Sequence, residues 1–304
     1  MKKNNNISKS IIFALIAAFI SGFSIFYAKI AVTKIDPIVL TTFRNLFVGL
    51  LFLLLSIKNV SMKKIIHMNK KVWIQLILVG IIGGAIPFYL FFTGLQYTSA
   101  LSANMIHKTL FFWAGILSII ILKEKPKISY FFAAFIIFVS QIIFSGTAFN
   151  LGKGELMVIA ATLFWSCEQI ISKKILQNVS SSLVGLFRMG IGGLVLLCIS
   201  LLSGKWSIFL GLKQSQLIFI FIGSILLFFY VFFWYKALRI GSVSIVTIIL
   251  TFSTVTGTLL NGSFAHINIT SNEKYLLLVI IISLSFFLIQ KVYHSTILTS
   301  KINK

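Results

Sequence analysis

Few side chains in this 304-residue chain can do chemistry, because only five are acidic and four are histidine. Glu168 is the one carboxylate placed deep in a long apolar run. Ala161, Trp165, Glu168 and Ser172 recur at spacings of four, three and four, which puts aromatic, carboxylate and hydroxyl on one helical face. An ionised side chain at bilayer depth costs ~2.5–3.5 kcal/mol on insertion scales, so it must face a cavity or a partner. Glu168 could therefore exchange a proton or hold an ammonium group; equally, it could pair with a lysine or a helix end near one membrane face. Asn104 and Lys108, four apart, share a second such face, with His107 beside them. Lys108 lies too deep for easy snorkelling and reads either as a carboxylate-recognising group or as a lock on the cavity. It differs from Glu168 in depth by about 13 Å at 1.5 Å per residue, which argues against direct pairing. His107 is either a proton relay or a hydrogen-bonded packing residue.

Three further patterns complete the candidate site. Ser244, Thr247, Thr251, Thr254 and Thr258 form a hydroxyl stripe, read as solute lining or as close helix packing. Lys108 and Asn104 are expected to look across at Thr251 and Thr247. Tyr230 and Trp234 offer an aromatic face to an apolar or aromatic solute. In VGIIGGAIPFY, Pro87 has no N–H for the Gly83 carbonyl, so Gly83, Gly84 and Pro87 predict a kink that serves as a hinge or as a static bend. Arg44 and Arg188 count to about two turns from opposite membrane faces and read as anchors to headgroups or loop carbonyls. Cys167 and Cys198 fall toward opposite ends of different spans, which argues against a disulfide. No metal-ligand spacing occurs, so neither metal nor other cofactor is expected.

The elements that must position these residues are membrane spans. The sequence is 58% hydrophobic and 11% charged, with a mean hydropathy of +1.03, and such a composition needs lipid as its solvent. Ten apolar runs, 11–32, 38–57, 72–95, 99–122, 128–147, 155–172, 183–203, 216–235, 242–262 and 275–290, are each near the ~17–25 residues of a spanning helix and lack strand alternation. The fold class is an all-α integral membrane protein. Residues 10–56 align without a gap on 154–200, setting Lys29 on Lys173, Phe43 on Phe187, Arg44 on Arg188 and Gly49 on Gly193; beyond that a shift of one sets Gly80 on Gly223 and Ser99 on Ser242. Two repeats, 1–148 and 149–304, follow. Five spans is an odd number, so the second repeat is threaded upside down relative to the first, a plan used by secondary transporters.

Basic residues orient the bundle. Of the 27 Lys and Arg, Lys29, Arg44, Lys108 and Arg188 lie within spans. If the N-terminus starts inside, eighteen of the remaining twenty-three face the cytoplasm, including Lys58, Lys63, Lys64, Lys70 and Lys71 in one loop. Only Lys34, Lys153, Lys205, Lys213 and Lys274 face outward. Both termini are therefore expected in the cytoplasm and the chain in the plasma (inner) membrane. The formal charge of +22 reads as topology rather than nucleic-acid binding. The first apolar run continues past any short signal core and reads as a span, not a cleaved leader.

With SGFSIFYAK in the first span, the inset Arg44 and Arg188, TLFWS in the sixth, the GLQYTSA and ALRIGSVS turns and LKEK closing the fourth, the chain resembles the EamA-type branch of the drug/metabolite transporter superfamily. That resemblance implies ten helices in two inverted five-helix repeats around a central cavity, and export of small organic metabolites such as amino acids. The proline common within helices four and nine of the family is absent, Leu110 standing near that place, and the Gly-Glu ending of helix nine is replaced by NGSFAHIN. No nucleotide-binding signature occurs, so transport would be gradient-driven by alternating access, with protons a candidate coupling ion. The expected partners are a small-molecule substrate and the lipid bilayer. A membrane enzyme on a lipid-linked substrate would need a cluster of carboxylates or histidines at a membrane face, which is missing. A non-transporting receptor is the third reading.

Overall fold

The computed structural model describes residues 2–59, 68–144, 151–264 and 268–302, and among these no strand occurs. The helices in chain order are α1 (Lys2–Ala31), α2 (Pro37–Asn59), α3 (Lys70–Tyr97), α4 (100–122) and α5 (Ile128–Phe144). The second set is α6 (Lys153–Ile175), α7 (Ser181–Leu202), α8 (Gln214–Ile240), α9 (Val243–Phe264) and α10 (Ser271–Ile302). Among the described residues, nine of them carry segments long and apolar enough to cross a membrane; Ile128–Ser140 in α5 is a shorter apolar helix. Part of that span as read from the sequence, residues 145–147, lies outside the described residues.

The repeats interlock rather than sit side by side. The second helix of one packs along the second of the other, α2 on α7. The first of each packs on the third of the other, α1 on α8 and α6 on α3, while α1 meets α9 as α6 meets α4, and α5 pairs with α10. That pattern is a pseudo-two-fold. A Cβ on Gly49 would stand 2.8 Å from the Gly190 Cα, so the α2–α7 seam depends on small residues that let backbones close in.

Equivalent lysines hold equivalent helix ends. Lys29 donates to the Leu95 and Thr98 carbonyls at the end of α3, both at 2.6 Å, and Lys173 donates to Leu238 and Gly241 at the end of α8 at 2.8 and 2.6 Å. Both supply donors to carbonyls that have no partner in the last helical turn. Asp36 accepts from the Ile38 and Val39 N–H groups with Pro37 beginning the helix. Its repeat mate Ser180 caps α7 through the Leu183 N–H.

The middle of α4 and of α9 tightens although neither carries a proline there. The helix Ala100–Lys108 gives way to Leu110–Leu122 at Thr109, and Val243–Ile249 gives way to Phe252–Phe264 at Leu250 and Thr251. Each break has three-residue bonds, Thr109 N–H to Ile106 and Leu250 N–H to Thr247. Each also has a threonine hydroxyl turned back on its own chain, Thr109 to Ile106 at 2.7 Å and Thr251 to Ile248 at 2.6 Å. Such back-bonding competes with the helical ladder and bends it.

Candidate functional site

The kink predicted from Pro87 is present as a π-helical segment, Gly80–Ala85, inside α3. Its freed carbonyls are taken by the other helices. Gly83 accepts from the Trp165 indole at 2.9 Å and from Arg188 Nε at 3.1 Å, and Gly84 accepts from Asn45 at 2.7 Å. Only glycine allows this approach, because a Cβ on Gly83 would strike the Glu168 side chain and one on Gly84 would strike the Arg188 carbonyl.

Glu168 is fully buried and saturated. It accepts from Tyr235 Oη at 2.6 Å, from Gln169 Nε2 at 3.0 Å and from the Ser172 hydroxyl, and its ion-pair partner is Arg188, 3.8 Å away. Gln169 is held in turn by the Trp234 indole at 2.8 Å. A buried carboxylate with this many donors is the condition under which an interior charge is tolerated.

Between the repeats lies a cavity of about 50 Å³ walled by Ser21, Ser24, Phe88, Phe91, Phe92, Arg44, Arg188, His107, Trp165, Gln169 and Tyr230, among others. It has room for a few waters at ~10–15 Å³ each. The His107 and Trp165 rings lie 4.8 Å apart and both pack on Phe91, at 5.5 and 5.4 Å. Arg44 reaches the wall through the Gly223 carbonyl at 2.9 Å and Ser24 at 3.4 Å, its guanidinium 5.0 Å from the Phe92 ring centre.

Of the residues expected to form the site, His107, Trp165 and Tyr230 line this cavity and Glu168 adjoins it through Arg188 and Gln169. Trp234 stacks on Tyr230 behind the wall at 6.0 Å. Lys108 is buried one layer out, bonded to Ser21 at 3.1 Å and facing His107 Nδ1 at 3.3 Å. Gly83, Gly84 and Pro87 form the bend beneath Trp165 and Arg188. Asn104, Thr247 and Thr251 are elsewhere: Asn104 lies against Gly257, and both threonine hydroxyls bond within their own helix.

The expected facing of Lys108 on Thr251 and of Asn104 on Thr247 therefore needs correcting. Positions that match in the repeat are not positions that face each other, because α4 and α9 run antiparallel. Ser118 meets Ser244 at 3.1 Å while Asn104 meets Gly257. By that register Lys108 lies opposite Ser253 and Thr254, whose buried hydroxyls have no hydrogen-bond partner among the described residues.

The two arginines also depart from the reading as anchors. Both are only 2% exposed, and they bond mid-helix carbonyls of the opposite repeat rather than headgroups or loops. Depth counted from a helix end misplaces them because each arginine sits on the face of its helix that meets the other repeat, against Gly223 and Gly83. The signal that could have found them was the repeat itself, which sets one arginine on the other. Gln169, Ser21 and Ser24 carried no comparable signal.

The chain matches the EamA-like transporter family over residues 8–146 and again over 152–289. It is 23% identical over 205 residues to a protein of Methanothermobacter thermautotrophicus described as an uncharacterized transporter, the match covering 62% of this chain and 60% of that one. The matched part thus spans about 60% of that curated relative's length. A solved crystal structure superposes with a TM-score of 0.72 at 14% identity, over 98% of this chain and 99% of the other, which shows a shared fold.

Proposed function

This chain belongs to the EamA-like transporter family, and on that premise we propose that it is a gradient-driven secondary transporter of small organic metabolites across the plasma membrane. The observation that carries the reading is the inter-repeat cavity walled by aromatic rings and two arginines, each clasping a carbonyl of the opposite repeat. Rocking of the halves would open it to one side and then the other. Amino acids are the solute class and export the direction that the resemblance implies, and the charge distribution supports cytoplasmic termini. Protons are the proposed coupling ion, with Glu168 as the carrier, since it is the carboxylate nearest the cavity. A non-enzymatic role fits the site, where ring faces and guanidinium groups bind rather than react.

The test is flux. Proteoliposomes loaded with radiolabelled amino acids and organic acids should release label faster than protein-free vesicles, with a rate that responds to an imposed pH gradient. Release no faster than from protein-free vesicles refutes transport of these classes, and release indifferent to the gradient refutes proton coupling.

A further inference from the structure

All five acidic residues of the chain can be placed, and together they leave an imbalance. Asp36 pairs with Lys205 at 2.5 Å outside the bundle core. Glu124, past the end of α4, accepts from the Val243 and Ser244 N–H groups at the start of α9. Glu155 accepts from the Thr98 hydroxyl in the first turn of α6, and Glu273 accepts from Thr270 in the first turn of α10. Glu168 alone is interior, and it is committed to Arg188 and to three hydrogen bonds.

Against that one interior carboxylate stand three interior cations, Arg44, Arg188 and Lys108, each no more than 2% exposed. Arg44 and Lys108 have only neutral partners. Lys108 is held by Ser21, Arg44 reaches Ser24, and both serines line the cavity. Nε of Arg44 has no hydrogen-bond partner among the described residues. Uncompensated charge at this depth is costly, and a bound anion would remove that cost.

We propose that the cavity is an anion receptor whose solute is a small organic anion, a carboxylate on an aromatic or branched apolar body, held between Arg44 and the Lys108–Ser21 pair. The inference rests on the transporter reading for treating this cavity as the solute's site, and it narrows that reading. The carboxylate meets Arg44 and, through movement of Ser21, Lys108; the body packs on Phe88, Phe91 and Trp165 once the two halves part, since the closed cavity holds only a few waters. An ammonium group finds no free carboxylate here. A zwitterionic amino acid therefore binds less well than the acid that lacks the amine.

Four probes of closely matched shape test this with the purified full-length protein: phenylacetate, phenylglycine, phenylacetamide and phenethylamine. A solute that binds the folded state raises its melting temperature, by an amount that grows with the logarithm of one plus the ratio of free solute concentration to Kd. Phenylacetate should stabilise the wild-type protein at concentrations roughly tenfold or more below those at which the amide or the amine does so, the range expected for a hydrogen bond to a charged group. Lys108→Met should abolish most of that preference and Lys108→Arg should retain it. Equal stabilisation by acid and amide, or a preference for the amine or the zwitterion, overturns the proposal from the wild-type data alone, whether or not Lys108→Met folds. Flux in proteoliposomes separates the two claims. Anion-selective binding without flux of any probe defeats the transporter reading and leaves the receptor; flux without anion preference does the reverse.

Discussion

Replacing Glu168 by glutamine removes one charge from a buried pair while keeping the shape. Its Oε2 lies 3.8 Å from Arg188 Nη1, where two unit charges at an effective dielectric of about 20 interact by about 4 kcal/mol. The amide can still accept from Tyr235 or Ser172, so part of the hydrogen bonding survives, but Arg188 is left as an uncompensated interior cation. Losing one partner of a buried pair typically costs about 3–5 kcal/mol, and Glu168→Gln should fall in that range while the protein remains folded. Arg188→Gln should cost a similar amount, and the double variant should cost less than the two together, with a coupling energy of about 2–3 kcal/mol. Equilibrium unfolding of the four proteins in mixed detergent micelles, followed by tryptophan fluorescence, supplies the numbers. A coupling below about 0.5 kcal/mol would mean that the pair does not hold the site together. Flux should also fall in Glu168→Gln and lose its response to a pH gradient; unchanged flux with an unchanged response would reduce Glu168 to a structural role.

Lys29→Met strips the donors from the Leu95 and Thr98 carbonyls, and Lys173→Met does the same at Leu238 and Gly241. Each should lower stability by about 1–2 kcal/mol, because the lysines are partly exposed and water replaces some of the loss; intact melting temperatures in both would show that these caps are dispensable. A cysteine placed at Asn69 should resist an impermeant thiol reagent in intact cells and react after lysis, as the basic residues of that loop require; labelling of intact cells would invert the proposed orientation.

Membrane embedding, the duplication and the bend in α3 were legible because each rests on a local or additive signal: apolar length, a fixed offset, and a proline with a missing N–H. The interior geometry was not, and the two errors share a cause. Facing across α4 and α9 depends on antiparallel register, which the offset of a repeat does not contain. The burial of Arg44 and Arg188 depends on which face of α2 and of α7 meets the other repeat, and apolar length is the same for a lipid-facing face and an inner one. The family's missing proline is instructive in the other direction. The break in α4 and α9 is made by Thr109, Leu250 and Thr251 through three-residue bonds, a signal too weak to read from sequence because threonine is common in membrane helices.

The two arginine clasps have a consequence for the resting state. Arg188 grips Gly83 with a carboxylate at its back, whereas Arg44 grips Gly223 with none. Two identical halves would make the forms open to either side equal in energy, like a balance with matched pans. Here one pan carries a counterweight that the other lacks. On the proposed rocking motion, releasing the Arg44 clasp and releasing the Arg188 clasp are unequal steps, so the empty protein leans toward one side of the membrane before any gradient acts. A bound anion beside Arg44 would supply the missing weight and level the two forms, which ties reorientation to the presence of cargo.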